Sequence, residues 1–189
     1  MITYNTNEFC SGLKIILDKE PSVILNAEFV KPGKGQAFVR VRIKKLISKK
    51  ILEKIFKTTD YVESANITEI NLTYLYNDNE LWYFINNKTF EQLSADKKSV
   101  GSNAKWLIHQ IDCCITLWNG HPIIVTPPNF IELKVISTSP YIKGNTVNGS
   151  SKQAILNTGA IVKVPSFIKK NEIIRVDTRS GEYISRIKS

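Results

Sequence analysis

Apolar residues in this chain recur mostly at every second position, the period of β-strands, and seldom at the three-and-four spacing of helices. In AFVRVRIKKLI (37–47), Phe38 or Val39, Val41 and Ile43 alternate with Arg40 and Arg42, so one face is apolar and the other carries arginines. LKIILD (13–18) and SVILNAEFV (22–30) flank the turn signal KEP, and ILEKIFKTTD (51–60) follows the basic turn Ser48-Lys49-Lys50. Such closely spaced short strands predict a small SH3-like barrel over residues 1–64.

The middle third opens with ITEINLTYLY (67–76), turns at NDNE (77–80) and returns as LWYFIN (81–86), a hairpin with an Asn/Asp turn. KKSVGSNAKWLIHQI (97–111) is the best helix candidate, with Ala104, Leu107, Ile108 and Ile111 at helical spacing. CCITLWNGHPIIVTPP (113–128) predicts two strands around Asn119-Gly120, stopped by Pro127-Pro128. A short helix within five strands suits an OB-fold over 65–128. The last third, 129–189, repeats the style with FIELKVIS, a polar loop at 139–153, then AIVKVPSFI, EIIRVD and EYISRI, and predicts another small barrel. The expected fold is therefore all-β, in three small barrels.

Charge adds to this picture. The net charge of +9 divides unevenly: 12 basic against 7 acidic residues in 1–64 (+5), 4 against 6 in 65–128 (−2), and 10 against 4 in 129–189 (+6). A compositional bias toward lysine would not spare the middle, so both ends are candidates for nucleic-acid contact. No run of about 18 apolar residues is present, and MITYNTNEF lacks the layout of a signal peptide, so the expected location is cytoplasmic, away from membranes.

Candidate catalysis is weakly supported. Cys10, Cys113 and Cys114 have no metal-ligand spacing and read as buried, reduced thiols. His109 and His121 sit near no motif that would make them bases or ligands, and the carboxylates are scattered. No cofactor, metal site or catalytic residue is expected. Tyr74, Tyr76, Trp82, Tyr83 and Phe84 could stack bases, but their alternation in a hairpin favours core packing; Trp106 and Trp118 read likewise.

The sharpest local feature is Lys31-Pro32-Gly33-Lys34-Gly35-Gln36, which joins two strand-like runs and so falls at a hairpin tip. Pro32 fixes one backbone angle, while Gly33 and Gly35 flank Lys34 with permissive residues. The tip lacks the spacing and following helix of a phosphate-binding loop. An exposed lysine is ordinarily a solvated one, and flanking glycines also admit close approach of RNA or a modifying enzyme.

These residues, together with NLTYLYNDNELWYFINNKTFEQL, NAKWLIHQ and TLWNGHPIIVTPPNF, resemble bacterial elongation factor P from end to end. The C-terminal run Lys152, Ala154, Thr158-Gly159, Val162, Val164-Pro165, Ile168, Ile174, Val176, Thr178, Gly181 and Tyr183 falls at the same family's spacing. The resemblance implies a KOW-type SH3-like barrel and two OB-folds in an L-shaped, tRNA-like arrangement, in a relative of the hypusine-containing initiation factor. It implies a non-enzymatic monomer that binds the 70S ribosome between the P and E sites and promotes peptide bonds at consecutive prolines. Lys34 would face the CCA end of the P-site peptidyl-tRNA after β-lysylation, with hydroxylation a further option, by an enzyme related to lysyl-tRNA synthetases. Gly144, Asn145 and Thr146 would approach the E-site mRNA codon, with Asn145 replacing the family's acid. Asn171 stands where the family pattern has Gly. The alternative is a general RNA-binding or transcription-associated β-barrel protein.

Overall fold

A computed structural model describes residues 2–139 and 151–187, and the regular structure of these described residues is predominantly β, with one short α-helix. Its strands are β1 (Thr3–Asn5), β2 (Lys14–Leu17), β3 (Glu20–Val30), β4 (Phe38–Lys45), β5 (Ile51–Lys57), β6 (Tyr61–Glu63), β7 (Ile67–Asn77) and β8 (Leu81–Ile85). They continue as β9 (Gln92–Asp96), β10 (Asp112–Trp118), β11 (His121–Thr126), β12 (Phe130–Thr138), β13 (Ser151–Leu156), β14 (Ile161–Pro165), β15 (Ile173–Asp177) and β16 (Glu182–Ile187). Sheets run in the orders β2-β3-β4-β5, β11-β10-β7-β8-β9 and β14-β13-β12-β15-β16, with β1 paired to β6. By compactness the chain forms two units, Met1–Ile70 with Ile115–Ile124 and Asn71–Cys114 with Val125–Ser189.

In the first unit, alternation does what the sequence requires. Val39, Val41 and Ile43 of β4 point inward and are buried with Phe9, Ile15, Leu17, Ile24, Phe56 and Val62, while Arg40 and Arg42 stay outside. Each fully buried aliphatic side chain stabilises the barrel by about 1.5–3 kcal/mol. The β2–β3 turn consists of Asp18 and Lys19, both at positive φ (52° and 63°), so Glu20 and Pro21 belong to the strand rather than to the KEP turn expected above. Asn119 and Gly120, at φ 51° and 82°, make the expected two-residue turn between β10 and β11.

In the second unit, β12–β16 close over Ile131, Leu133, Val135, Ala154, Leu156, Val162, Val164, Ile168, Ile174 and Val176, and Trp106 is built into the same core. The helix expected over 97–111 is corrected. One α-turn, Lys97–Val100, is capped by Asp96, whose carboxylate accepts from the Ser99 N–H at 2.8 Å. Gly101 then adopts φ 55°, ψ −136°, which ends the α-helix, and a 3-10 segment runs to Trp106. Leu107, Ile108 and Ile111 therefore lie outside any helix. Of the loop expected at 139–153, residues 151–153 are strand, paired with 163–165 of β14. Asn171 has φ 72° and its N–H donates to the Val135 carbonyl at 2.8 Å, so asparagine holds the left-handed turn there.

Candidate functional site: the β3–β4 tip

Strands β3 and β4 pair from Ser22↔Lys45 up to Val30↔Phe38, and the ladder then stops. Pro32 has no N–H to extend it, and Gly35 turns the chain at φ 111°, a value that L side chains rarely adopt. Residues 31–36 are all exposed. A Cβ added at Gly33 would meet nothing within 4 Å, and one at Gly35 would meet only the Pro32 Cγ at 3.8 Å, so the backbone on both sides of Lys34 is uncovered.

The two tip lysines differ. The Lys31 ammonium stands over the Phe29 ring, 5.6 Å from its centroid. Lys34 has no hydrogen-bond, ion-pair or ring partner among the described residues. Below the tip, Glu28 and Arg40 face each other across the ladder at 3.6 Å, an exposed pair of small energetic weight. The arrangement leaves Lys34 as an unpartnered amine at the end of a two-stranded ladder, and no base or nucleophilic partner stands beside it among the described residues. Sequence reading found Lys34 through its glycines but missed Phe29. The available signal was an aromatic residue two positions before a lysine on an alternating strand.

The aromatic residues of the middle hairpin divide. Tyr74, Trp82 and Phe84 are buried, as expected from alternation. Tyr76 is exposed and stacks on Tyr83, with centroids 4.8 Å apart and planes 25° from parallel. The Tyr83 hydroxyl donates to Asp78 at 2.8 Å, and that bond raises the phenol's pKa above its ordinary value. Asp78 also accepts from the Leu81 and Glu80 N–H groups, which hold its carboxyl below the usual range.

At the other basic end, Arg175 and Arg179 both lie against Phe130, at 5.2 and 5.6 Å from its centroid. The sequence shows the charge excess of this third of the chain but does not single out these residues. The segment holding Gly144, Asn145 and Thr146 lies outside the described residues. Cys113 is buried, Cys114 is half-buried and Cys10 is exposed, which corrects the expectation that all three are buried. Among the described residues, no group of His, Cys, Asp and Glu could hold a metal ion, and no helix is long and apolar enough to cross a membrane.

Three family models match in succession: the elongation factor P KOW-like domain over residues 5–62, the elongation factor P OB domain over 67–125, and the elongation factor P C-terminal domain over 131–186. The chain belongs to the elongation factor P family. It is thus a translation factor, of a family associated with the ribosome and generally non-enzymatic, with a KOW-like N-terminal part followed by OB-type parts. Solved structures share the fold. A eukaryotic translation initiation factor 5A from Methanococcus jannaschii is 21% identical, with a TM-score of 0.53 over 67% of this chain and 94% of that one. A translation initiation factor eIF-5A family protein from Naegleria fowleri is 13% identical, with a TM-score of 0.52 over 66% of this chain and 97% of its own. Both leave about a third of this family member unmatched.

Proposed function

We propose that this chain binds the ribosome between the P and E sites and promotes peptide bond formation at consecutive prolines, with Lys34 directed at the CCA end of the peptidyl-tRNA. The observation that carries the reading is the tip itself. Lys34 is exposed, flanked by uncovered glycine backbone and without a partner among the described residues, at the tip of the β3–β4 hairpin in the part matched to the KOW-like domain.

Proline's ring restricts the nascent chain and orients its nitrogen poorly for attack, so the cost of the stall is largely one of positioning. A cationic arm beside the CCA end offsets that cost by holding phosphate and 2′-OH groups of the peptidyl-tRNA in a reactive geometry. Extension of Lys34 by β-lysylation, with or without hydroxylation, would lengthen the arm. A lysyl-tRNA-synthetase-like enzyme would perform it. The ribosome would do the chemistry and this chain would orient its substrate, acting as a cytoplasmic monomer in three modules, 1–64, 65–128 and 129–189. Gly144, Asn145 and Thr146 are proposed to approach the E-site codon.

The test is a reconstituted translation reaction with a triproline reporter, run without the factor, with it, and with Lys34→Ala. Full-length product should rise only with the unsubstituted chain. Equal yields in all three reactions would sink the reading. A general RNA-binding barrel protein would instead keep most of its affinity in Lys34→Ala and lose about one unit of salt slope.

A further inference from the structure

Phe29 is a large apolar side chain left 48% exposed at the end of β3. Its position in the ladder opposite Val39 does not demand an aromatic ring. The ring has two neighbours that matter. One is the Lys31 ammonium at 5.6 Å from the centroid. The other is a recess of about 330 Å³ lined by Thr6, Asn7, Phe9, Ala27 and Val39, with Phe29 as its remaining wall.

The tip carries two amines three positions apart, and a reaction that extends one of them must distinguish it from the other. Their settings differ. Lys31 precedes Pro32, which pushes its backbone toward an extended conformation, and its charged end is attracted to the negative face of the Phe29 ring. Lys34 lies between Gly33 and Gly35, where nothing covers the backbone except the Pro32 ring beside Gly35.

We propose that Phe29 is a specificity-determining residue, which by holding the Lys31 ammonium leaves Lys34 as the tip amine open to acylation. The inference rests on the reading that Lys34 is extended by a lysyl-type acyl group. In that step the neutral Lys34 amine attacks the carbonyl carbon of an aminoacyl-adenylate and an N–C bond forms. The carbonyl–oxygen bond to the phosphate breaks, AMP leaves with the electron pair, and the surplus proton passes from nitrogen to solvent. Lys31 must first leave the ring before its nitrogen can reach the same donor. A cation–π contact at an exposed site disfavours that departure by about two- to fivefold. Phe29 does not touch the reacting atoms; it positions the competitor.

The experiment uses the full chain produced without any modifying enzyme, so that both amines begin free. Limiting acetate N-hydroxysuccinimide ester is added, and the Lys31-to-Lys34 acetylation ratio is read by peptide mass spectrometry for the unsubstituted chain, Phe29→Leu and Phe29→Trp. Phe29→Leu should raise the ratio about two- to fivefold, because it keeps an apolar side chain and removes the π face; Phe29→Trp should lower it or leave it low. Unchanged ratios in both variants, with the thermal transition retained, would overturn the proposal. Should Phe29→Leu fail to fold, Phe29→Trp decides alone: a ratio that rises counts against the proposal.

A second arm supplies a lysyl-tRNA-synthetase-like enzyme, ATP and β-lysine. The unsubstituted chain should gain its adduct at Lys34, and Phe29→Leu should gain adducts at both lysines. An adduct confined to Lys34 in Phe29→Leu would show that the ring does not set the choice. If the unsubstituted chain gains no adduct, the modification reading fails, and the acetylation ratio still decides whether Phe29 holds Lys31.

Discussion

Arg179 grips Asp177 through two parallel hydrogen bonds, Nε to Oδ1 at 3.0 Å and Nη2 to Oδ2 at 2.6 Å. The Arg179 N–H adds a third bond to Oδ1 at 2.9 Å. The guanidinium side chain foremost, then this backbone donor, lowers the Asp177 carboxyl to about 2. A depressed carboxylate contributes stability that is fully present above its unfolded value, near 3.9, and is lost as pH falls through its folded value. Thermal stability should therefore drop between about pH 4 and pH 2 in the unsubstituted chain. Asp177→Asn should lose stability at pH 7 and show a shallower decline in that window by differential scanning fluorimetry. Identical slopes for the two proteins would contradict the assignment.

Gly33 and Gly35 are predicted to respond differently to alanine. Gly35 is held at φ 111°, so Gly35→Ala should cost about 1–3 kcal/mol of backbone strain. Gly33 is not held in the left-handed region and has open space around it, so Gly33→Ala should be close to neutral. Urea unfolding of both variants checks this. Equal losses would mean that the tip does not turn at Gly35.

Thiol reactivity should follow burial. Cys10 is exposed and should react with iodoacetamide in the native chain. Cys113 is 1% exposed and its thiol is pushed up to about 12 by burial, with Asp112 and Cys114 adding to the effect. It should remain unlabelled until denaturant is added. Rapid native labelling of Cys113 would show that its surroundings open readily.

Trp106 is 2% exposed within the core of β12–β16. Trp106→Ala should cost about 3–5 kcal/mol, read as a lowered urea midpoint. A loss below about 1 kcal/mol would indicate that the core collapses around the missing ring.

How much of this was legible in the sequence depended on whether a local rule was left undisturbed. Val39, Val41 and Ile43 alternate without interruption, and their burial follows from period two alone. Asn119-Gly120 names its own turn because few residues accept two positive φ values in succession. Tyr76 shows where the rule breaks. Counting by twos from buried Tyr74 would bury it, but the β7–β8 register shifts between Tyr74 and Tyr76, and the extra residue turns Tyr76 to the outer face against Tyr83. Composition does not announce a bulge. The false helix over 97–111 had the right spacing of apolar side chains, yet Gly101 sits inside it at positive φ, and tertiary burial of Trp106 outweighed the local pattern. At the tip, Lys34 was legible because glycines mark it. The hold of Phe29 on Lys31 was not, because it depends on where two side chains point above the end of a ladder.

Trp106 has a consequence for synthesis of the chain. It is made before any residue of β12–β16, yet it completes their core. During translation this indole is therefore made before the strands that bury it. A gene fragment starting at residue 129 would likewise encode five strands without the ring that fills them, and its product should be less stable than the same strands in the whole chain.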